Sequence, residues 1–191
     1  IETFKASVIG SLNILENAYK NDSIVFQAST SEIYGDPLEH PQKENYFGNV
    51  STIGPRACYD EGKRAAETIF FDFKRIYNVK IKLVRIFNTY GPNMSPNDGR
   101  VISNFINQAI QGKDITINGN GLQTRSFQYI DDLISGLILF MDSEDSFIGP
   151  INIGNPKEIS IKDLASKVLI LTKSNSSLIF QNLPDDDPKR R

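Results

Sequence analysis

Apolar residues recur every three or four positions from the start of the chain. Phe4, Val8, Leu12, Leu15 and Tyr19 share one face, which predicts a helix over residues 1–20 ended by Asn21-Asp22. The pattern then changes to a short unbroken apolar run, Ile24-Val25-Phe26, leading into Ala28-Ser29-Thr30-Ser31-Glu32. That run predicts a buried parallel strand whose carboxyl end opens into polar residues, the end of an open α/β sheet where ligands bind. Residues 35–57 are punctuated by Gly35, Pro37, Pro41, Gly48, Gly54 and Pro55 and predict a long irregular connection. A second helical stripe through Ala65, Ala66, Ile69, Phe70 and Phe73 runs to about Tyr77, and residues 81–87 follow as a strand ending in Asn88-Thr89-Tyr90-Gly91-Pro92. Strand, loop, helix and strand in that order make a βαβ unit, so the two strands are expected to be parallel and the class α/β.

Further on, Ile102, Phe105, Ile106, Ala109 and Ile110 predict a helix from Arg100 to Gln111, stopped by Gly112. Residues 115–117 and 124–129 read as short strands joined by a hairpin turn at Asn118-Gly119-Asn120-Gly121. A phosphate loop is disfavoured there because Thr124 stands where a dinucleotide fingerprint places its third glycine. Asp131 or Asp132 is expected to cap a helix running through Met141, and Ile151-Asn152-Ile153 returns as a strand. Ser160, with Asp163 three residues later, opens a last helix through Leu171. Residues 183–191 are too polar for a core.

Composition narrows the chemistry. With 39% hydrophobic and 23% charged residues and a net charge of −2, neither disorder nor an electrostatically driven nucleic-acid partner is expected. A single cysteine, Cys58, and a single histidine, His40, leave no internal disulfide, no His/Cys metal cluster and no Ser-His-Asp scheme, so no metal is expected and Cys58 reads as a packed, inert thiol. No apolar run approaches the ~20 residues needed to cross a bilayer, and the first residues carry no signal pattern, so no membrane contact is expected. The chain opens on Ile1 with helical periodicity already running, which reads as an internal piece of a longer polypeptide.

Tyr59-Asp60-Glu61-Gly62-Lys63 puts a phenol and an amine one helical turn apart on one face. A phenol ionises near ~10, and a fixed positive charge beside it favours the phenolate and acid–base work at neutral pH. Alone the pair is weak, since such pairs also arise on ordinary amphipathic helices. Here it stands third in an ordered series: the strand-end cluster Thr30, Ser31 and Glu32, a loop, Tyr59 and Lys63, then a strand closing with Arg85-Ile86-Phe87-Asn88-Thr89-Tyr90-Gly91-Pro92.

That series resembles the extended short-chain dehydrogenase/reductase family of nucleotide-sugar enzymes, the NAD-dependent epimerases and dehydratases. The resemblance implies a Rossmann-like doubly wound parallel sheet, here incomplete with its N-terminal strands missing, and a smaller C-terminal substrate domain. Residues 1–95 are then the C-terminal half of the NAD-binding domain. Residues 96–191 are mostly substrate-binding, with the strand near 151–153 interleaved into the first domain. The passages 28–37, 53–67, 85–92, 98–105, 123–129 and 150–156, with Asp186-Asp187-Pro188, are similar to the branch that decarboxylates UDP-glucuronate to UDP-xylose.

In that branch the resemblance assigns Tyr59 as the base on the sugar C4 hydroxyl, Lys63 as holder of the nicotinamide ribose, and Thr30 as a hydrogen-bond partner of the same hydroxyl. Glu32 is expected to handle the proton at C5, with Arg125 as its electrostatic partner. Ser29 and Thr89, beside Tyr59 and Lys63, are implied NAD contacts, and Asn13, Ser31, Asn88, Arg100 and Val101 are implied UDP-sugar contacts. NAD is the implied cofactor, and a homodimer through residues 1–20 and 58–77 the implied assembly. The implied location is cytoplasmic, with the Golgi lumen as the alternative.

Departures are visible too: Ser7 and Asn93 stand where the family often has Asn and Arg. The glycine-rich turn and the acidic ribose ligand are expected upstream, so residues 1–191 alone are expected to be inactive. GDP-mannose or dTDP-glucose 4,6-dehydratases, a 4-epimerase, and a non-catalytic Rossmann scaffold are the competing readings.

Overall fold

A computed structural model describes residues 1–96 and 98–182, so Asp186-Asp187-Pro188 lies outside the described residues. The chain divides into two compact units. One comprises Ile1–Phe87 with Asp132–Gly154, and the other comprises Asn88–Asp131 with Asn155 onward.

The first unit is built on a parallel sheet in the order β1 (Val25–Thr30), β2 (Ile81–Ile86) and β7 (Ile151–Ile153). Helices α1 (Glu2–Lys20) and α2 (Ala57–Tyr77) pack against each other. Gly62 permits that approach, because a Cβ there would stand 3.3 Å from Ser7 Cβ. On β2, Ile81 and Leu83 face Phe70 of α2 in the core, together with Leu15, Ala18, Val25 and Val79.

Strand periodicity turns the alternate residue, Lys82, to the other face, where its fully buried ammonium meets the loop after α4 (Ile130–Met141). On that face Phe140 of α4 lies edge-on to Phe26 and Phe147. β2 is therefore covered on both sides, as the centre of a parallel sheet requires. α4 begins two or three residues earlier than a cap at Asp131 or Asp132 predicts. Asp131 and Asp132 sit in its first turn, where the helix dipole favours negative charge, instead of capping it.

In the second unit, α3 (Val101–Ile110) and α5 (Ile161–Thr172) enclose a core of Phe105, Ala109, Ile115, Ile117, Ile161, Ala165 and Val168. Ser160 caps α5 as expected, its Oγ accepting from Asp163 N at 3.0 Å. The expected hairpin does not form. β4 (Ile115–Asn118) pairs in parallel with β9 (Leu178–Gln181), and β5 (Thr124–Ser126) pairs antiparallel with β8 (Glu158–Ser160).

The turn itself explains this outcome. Gly119 N donates to Gln181 O at 2.8 Å, and Gly121 O accepts from Lys162 N at 3.0 Å, so its backbone is engaged by β9 and by the start of α5. Gly121, at φ 73°, leaves only 3.0 Å between a would-be Cβ and that of Lys162, so it is glycine for close approach as much as for conformation. The single run predicted over 124–129 is broken at Phe127, and its second half, β6 (Gln128–Tyr129), pairs in parallel with β3 (Thr89–Tyr90).

Among the described residues no helix is long and apolar enough to cross a membrane, and no three His, Cys, Asp or Glu side chains cluster as metal ligands would.

Candidate active site

β1 ends on two small polar residues, Ser29 and Thr30, and Ser31 follows them directly; all three are buried. Thr30 is extended (φ −145°, ψ 155°) and its Oγ1 accepts from Glu32 N at 3.2 Å, which starts a single 3-10 turn over Ser31–Tyr34. Accepting there leaves the Thr30 hydroxyl proton to donate elsewhere. Gly35, at φ 64°, closes the turn; a Cβ there would collide with Asn49 O.

α2 starts at Ala57, and Tyr59 N donates to Arg56 O at 2.9 Å in its first turn. The Tyr59 ring is half-buried, and Lys63 Nζ lies 6.0 Å from its centroid. Lys63 also donates to Ala28 O at 3.0 Å, so the helix is tied to β1 two residues before Thr30. Burial pulls the Lys63 ammonium below the usual lysine range. Only one of its three protons is taken by that bond. Glu32 is paired with Arg56, Nη2 to Oε2 2.9 Å, a guanidinium that the sequence had not singled out. Asn13 lies exposed on α1.

Ser29 is 3% exposed, and its hydroxyl donates to Glu67 Oε1 at 2.5 Å. Glu67 also receives Arg85, whose Nη2 approaches Oε2 at 2.7 Å. Neither residue was assigned a role from sequence, although Glu67 follows Lys63 by one helical turn and Tyr59 by two. Cys58 is corrected: it is exposed, because one step round the helix from Tyr59 it points away from the residues that face β1.

In the second unit, Asn88 Nδ2 donates to Ser126 O at 3.3 Å and Asn88 O accepts from Gln128 N at 2.9 Å. Thr89 Oγ1 accepts from Gln128 Nε2 at 3.0 Å. Arg125 is buried on β5, with Nη1 donating to Thr124 O at 2.8 Å. Arg100 is exposed at the start of α3, and Val101 is that helix's first residue. The Ser103 hydroxyl and the Arg100 N–H hold the Asp98 carboxyl below its usual range, fixing the approach to α3. Asn93 sits at φ 66°, a left-handed conformation that asparagine adopts more readily than arginine, which gives a backbone reason for that departure.

The chain belongs to the NAD dependent epimerase/dehydratase family, which matches over residues 1–154. Its fold is correspondingly an α/β fold of Rossmann type. It is 50% identical over 192 residues to UDP-glucuronic acid decarboxylase 3 of Arabidopsis thaliana, a match covering 100% of this chain and 56% of that protein. The chain spans about half the length of the curated relatives it matches.

Among solved structures, UDP-N-acetylglucosamine 4-epimerase from Methanobrevibacter ruminantium M1 in complex with UDP-N-acetylmuramic acid superposes with a TM-score of 0.89 at 25% identity, over 97% of this chain and 59% of that one. UDP-glucuronic acid 4-epimerase from Bacillus cereus in complex with UDP-glucuronic acid and NAD gives a TM-score of 0.85 at 26% identity, over 97% of this chain and 57% of that one.

Proposed function

We propose that the protein converts UDP-glucuronate to UDP-xylose and carbon dioxide, using tightly held NAD that is regenerated in each cycle. The observation that supports this reading is the Lys63–Ala28 hydrogen bond, which ties the helix carrying Tyr59 and Lys63 to β1 two residues before Thr30. The half-identical relatives named as decarboxylases support the choice of substrate.

The site suits NAD on its own chemistry: Lys63 keeps two ammonium protons beyond its bond to Ala28 O, the complement of a ribose diol. NAD held there by Lys63 would supply the redox chemistry, reversible hydride transfer at the sugar C4. Thr30 donates its free hydroxyl proton to the C4 oxygen, and Tyr59 removes that oxygen's proton. The ketone left at C4 stands β to the C5 carboxylate, so the carboxylate departs as carbon dioxide with its electron pair delocalised onto the C4 oxygen. Tyr59, now protonated, stabilises that oxygen, and Glu32 relays to C5 a proton that it takes up from solvent. Arg56 keeps Glu32 from standing as an uncompensated charge beside an anionic sugar. In this reading Arg125 supports the proton handling at C5 electrostatically, Asn88, Arg100, Val101, Ser31 and Asn13 take the UDP-sugar, and Thr89 takes the nicotinamide side.

Incubating the full-length protein with UDP-glucuronate should release carbon dioxide and leave a five-carbon UDP-sugar. A six-carbon UDP-uronate epimerised at C4 marks a 4-epimerase, and an inert uronate with conversion of a nucleotide hexose to its 4-keto-6-deoxy form marks a dehydratase.

The assembly follows the same reading: a homodimer through α1 and α2, which leave Phe4, Ile9, Ile14, Tyr19, Ile76 and Tyr77 exposed. Sedimentation of the full-length protein as a monomer would refute it. The cytoplasm is the location adopted, against the Golgi lumen, and imaging of a fluorescent full-length fusion separates the two.

A further inference from the structure

Across the three parallel strands, register places Ser29 of β1, Arg85 of β2 and Asn152 of β7 side by side in one row. The next row begins with Thr30. Two polar side chains from outside the sheet close this row into a network. Glu67 of α2 accepts from Ser29 Oγ at 2.5 Å and from Arg85 Nε and Nη2 at 3.1 and 2.7 Å. Tyr34, the last residue of the 3-10 turn, accepts from Arg85 Nη1 at 2.8 Å and donates to Asn152 Oδ1 at 2.8 Å. Arg85 is also 5.0 Å from the centre of the Tyr34 ring and donates to Glu44 O. Glu67 and Arg85 are 7% and 8% exposed, so the pair is removed from water.

Burial opposes the Arg85 charge, and Glu67 and Tyr34 more than reverse that effect, so the guanidinium is held charged. Burial raises the Tyr34 phenol, which keeps a proton on Oη for Asn152.

A buried ion pair is a poor device for stability alone, because well-packed apolar residues of similar volume often serve as well or better. What this one does is geometric. Its hydrogen bonds grip Ser29 immediately before, and Tyr34 shortly after, the candidate catalytic residues Thr30 and Glu32. Its carboxylate belongs to the helix that presents Tyr59 and Lys63 on the same face. We infer that Glu67 and Arg85 are positioning residues: they lock the tip of β1 and the following turn in register with α2, setting Thr30 and Glu32 against Tyr59. The inference rests on the proposed reaction for its kinetic consequence only.

Two variants of the full-length protein test it. Glu67→Gln removes the charge at constant size, and Ser29→Ala removes only the hydroxyl link. A misplacement of about 1 Å costs roughly a hundredfold in rate. The expected loss in kcat for UDP-glucuronate is therefore about a hundredfold for Glu67→Gln and about tenfold for Ser29→Ala, with KM within about twofold. Without any substrate, amide hydrogen exchange across residues 29–34 should quicken by about tenfold in both variants, while exchange in α5 stays as in the wild type. Unchanged kcat with unchanged exchange at 29–34, or faster exchange spread evenly over the chain, overturns the inference and leaves the pair an ordinary structural contact. A wild-type protein inert toward UDP-glucuronate instead removes the substrate assignment, and the exchange comparison then decides the positioning role by itself.

Discussion

Tyr59→Phe should lower kcat for carbon dioxide release from UDP-glucuronate by about 10²–10⁴-fold, the usual contribution of a positioned acid–base group, with the thermal melt of the protein unchanged. The variant keeps the ring, and so its packing and its place 6.0 Å from Lys63 Nζ, and deletes only the oxygen that moves a proton. KM should change far less, because Thr30 and the contacts proposed for the nucleotide are untouched. Steady-state kinetics beside a melting curve check both halves. A Tyr59→Phe protein that turns over at the wild-type rate would put the proton transfer elsewhere. One that fails to fold would make Tyr59 a packing residue.

The largest expected effect on stability belongs to a residue that takes no part in the proposed reaction. Lys82 is 0% exposed, and its ammonium donates to Ser143 O, Ser143 Oγ, Glu144 O and Phe147 O at 3.1, 2.6, 2.8 and 3.0 Å, with the Phe140 ring 5.0 Å away. Those carbonyls belong to the loop after α4, where no helical or strand ladder supplies donors, so a buried acceptor there needs a side-chain partner. Lys82→Met fills the same stem volume and orphans Ser143 O and Phe147 O, whereas Glu144 O keeps its bond from Phe147 N and Ser143 Oγ its bond to Phe140 O. Each buried unsatisfied group costs about 1–3 kcal/mol, which puts the loss at about 3–5 kcal/mol once the loop relaxes. For a chain of this size that is a fall of roughly 10 °C in Tm, measurable by calorimetry of the full-length protein. Lys82→Arg should recover only part of it, since a planar fork does not reproduce the converging contacts of a compact ammonium. A melt within a degree or two of wild type for Lys82→Met would show that water replaces the ammonium at little cost.

Lys82 also shows what a sequence conceals. Residues 81–87 are legible as a strand, yet a lysine and an arginine within five residues resemble a solvated face, and nothing local says that both are buried. Their partners lie far along the chain, at 143–147 for Lys82 and at 34, 44 and 67 for Arg85. The helices were legible because each carries its own three-to-four periodicity, and the Ser160 cap because its signal is local. The hairpin was misjudged for the converse reason. The Asn-Gly-Asn-Gly stretch carries good turn chemistry, but its backbone groups are claimed by Gln181 and Lys162, tens of residues away.

Within the candidate site, Tyr59 and Lys63 could be paired from spacing alone. The partners of Ser29 and Glu32 could not, since Glu67 and Arg56 reach them only after β1 and α2 have packed.

The central claim is that the sugar is oxidised at C4 at the tip of β1 before it loses its carboxylate. Turnover of UDP-glucuronate carrying deuterium at C4 by the full-length protein tests this most directly. Carbon dioxide release from the labelled sugar should be slower, and the UDP-xylose should retain the deuterium at C4, because the same hydride leaves and returns within one closed site. Release at an undiminished rate, with the C4 deuterium exchanged for solvent hydrogen, would contradict it.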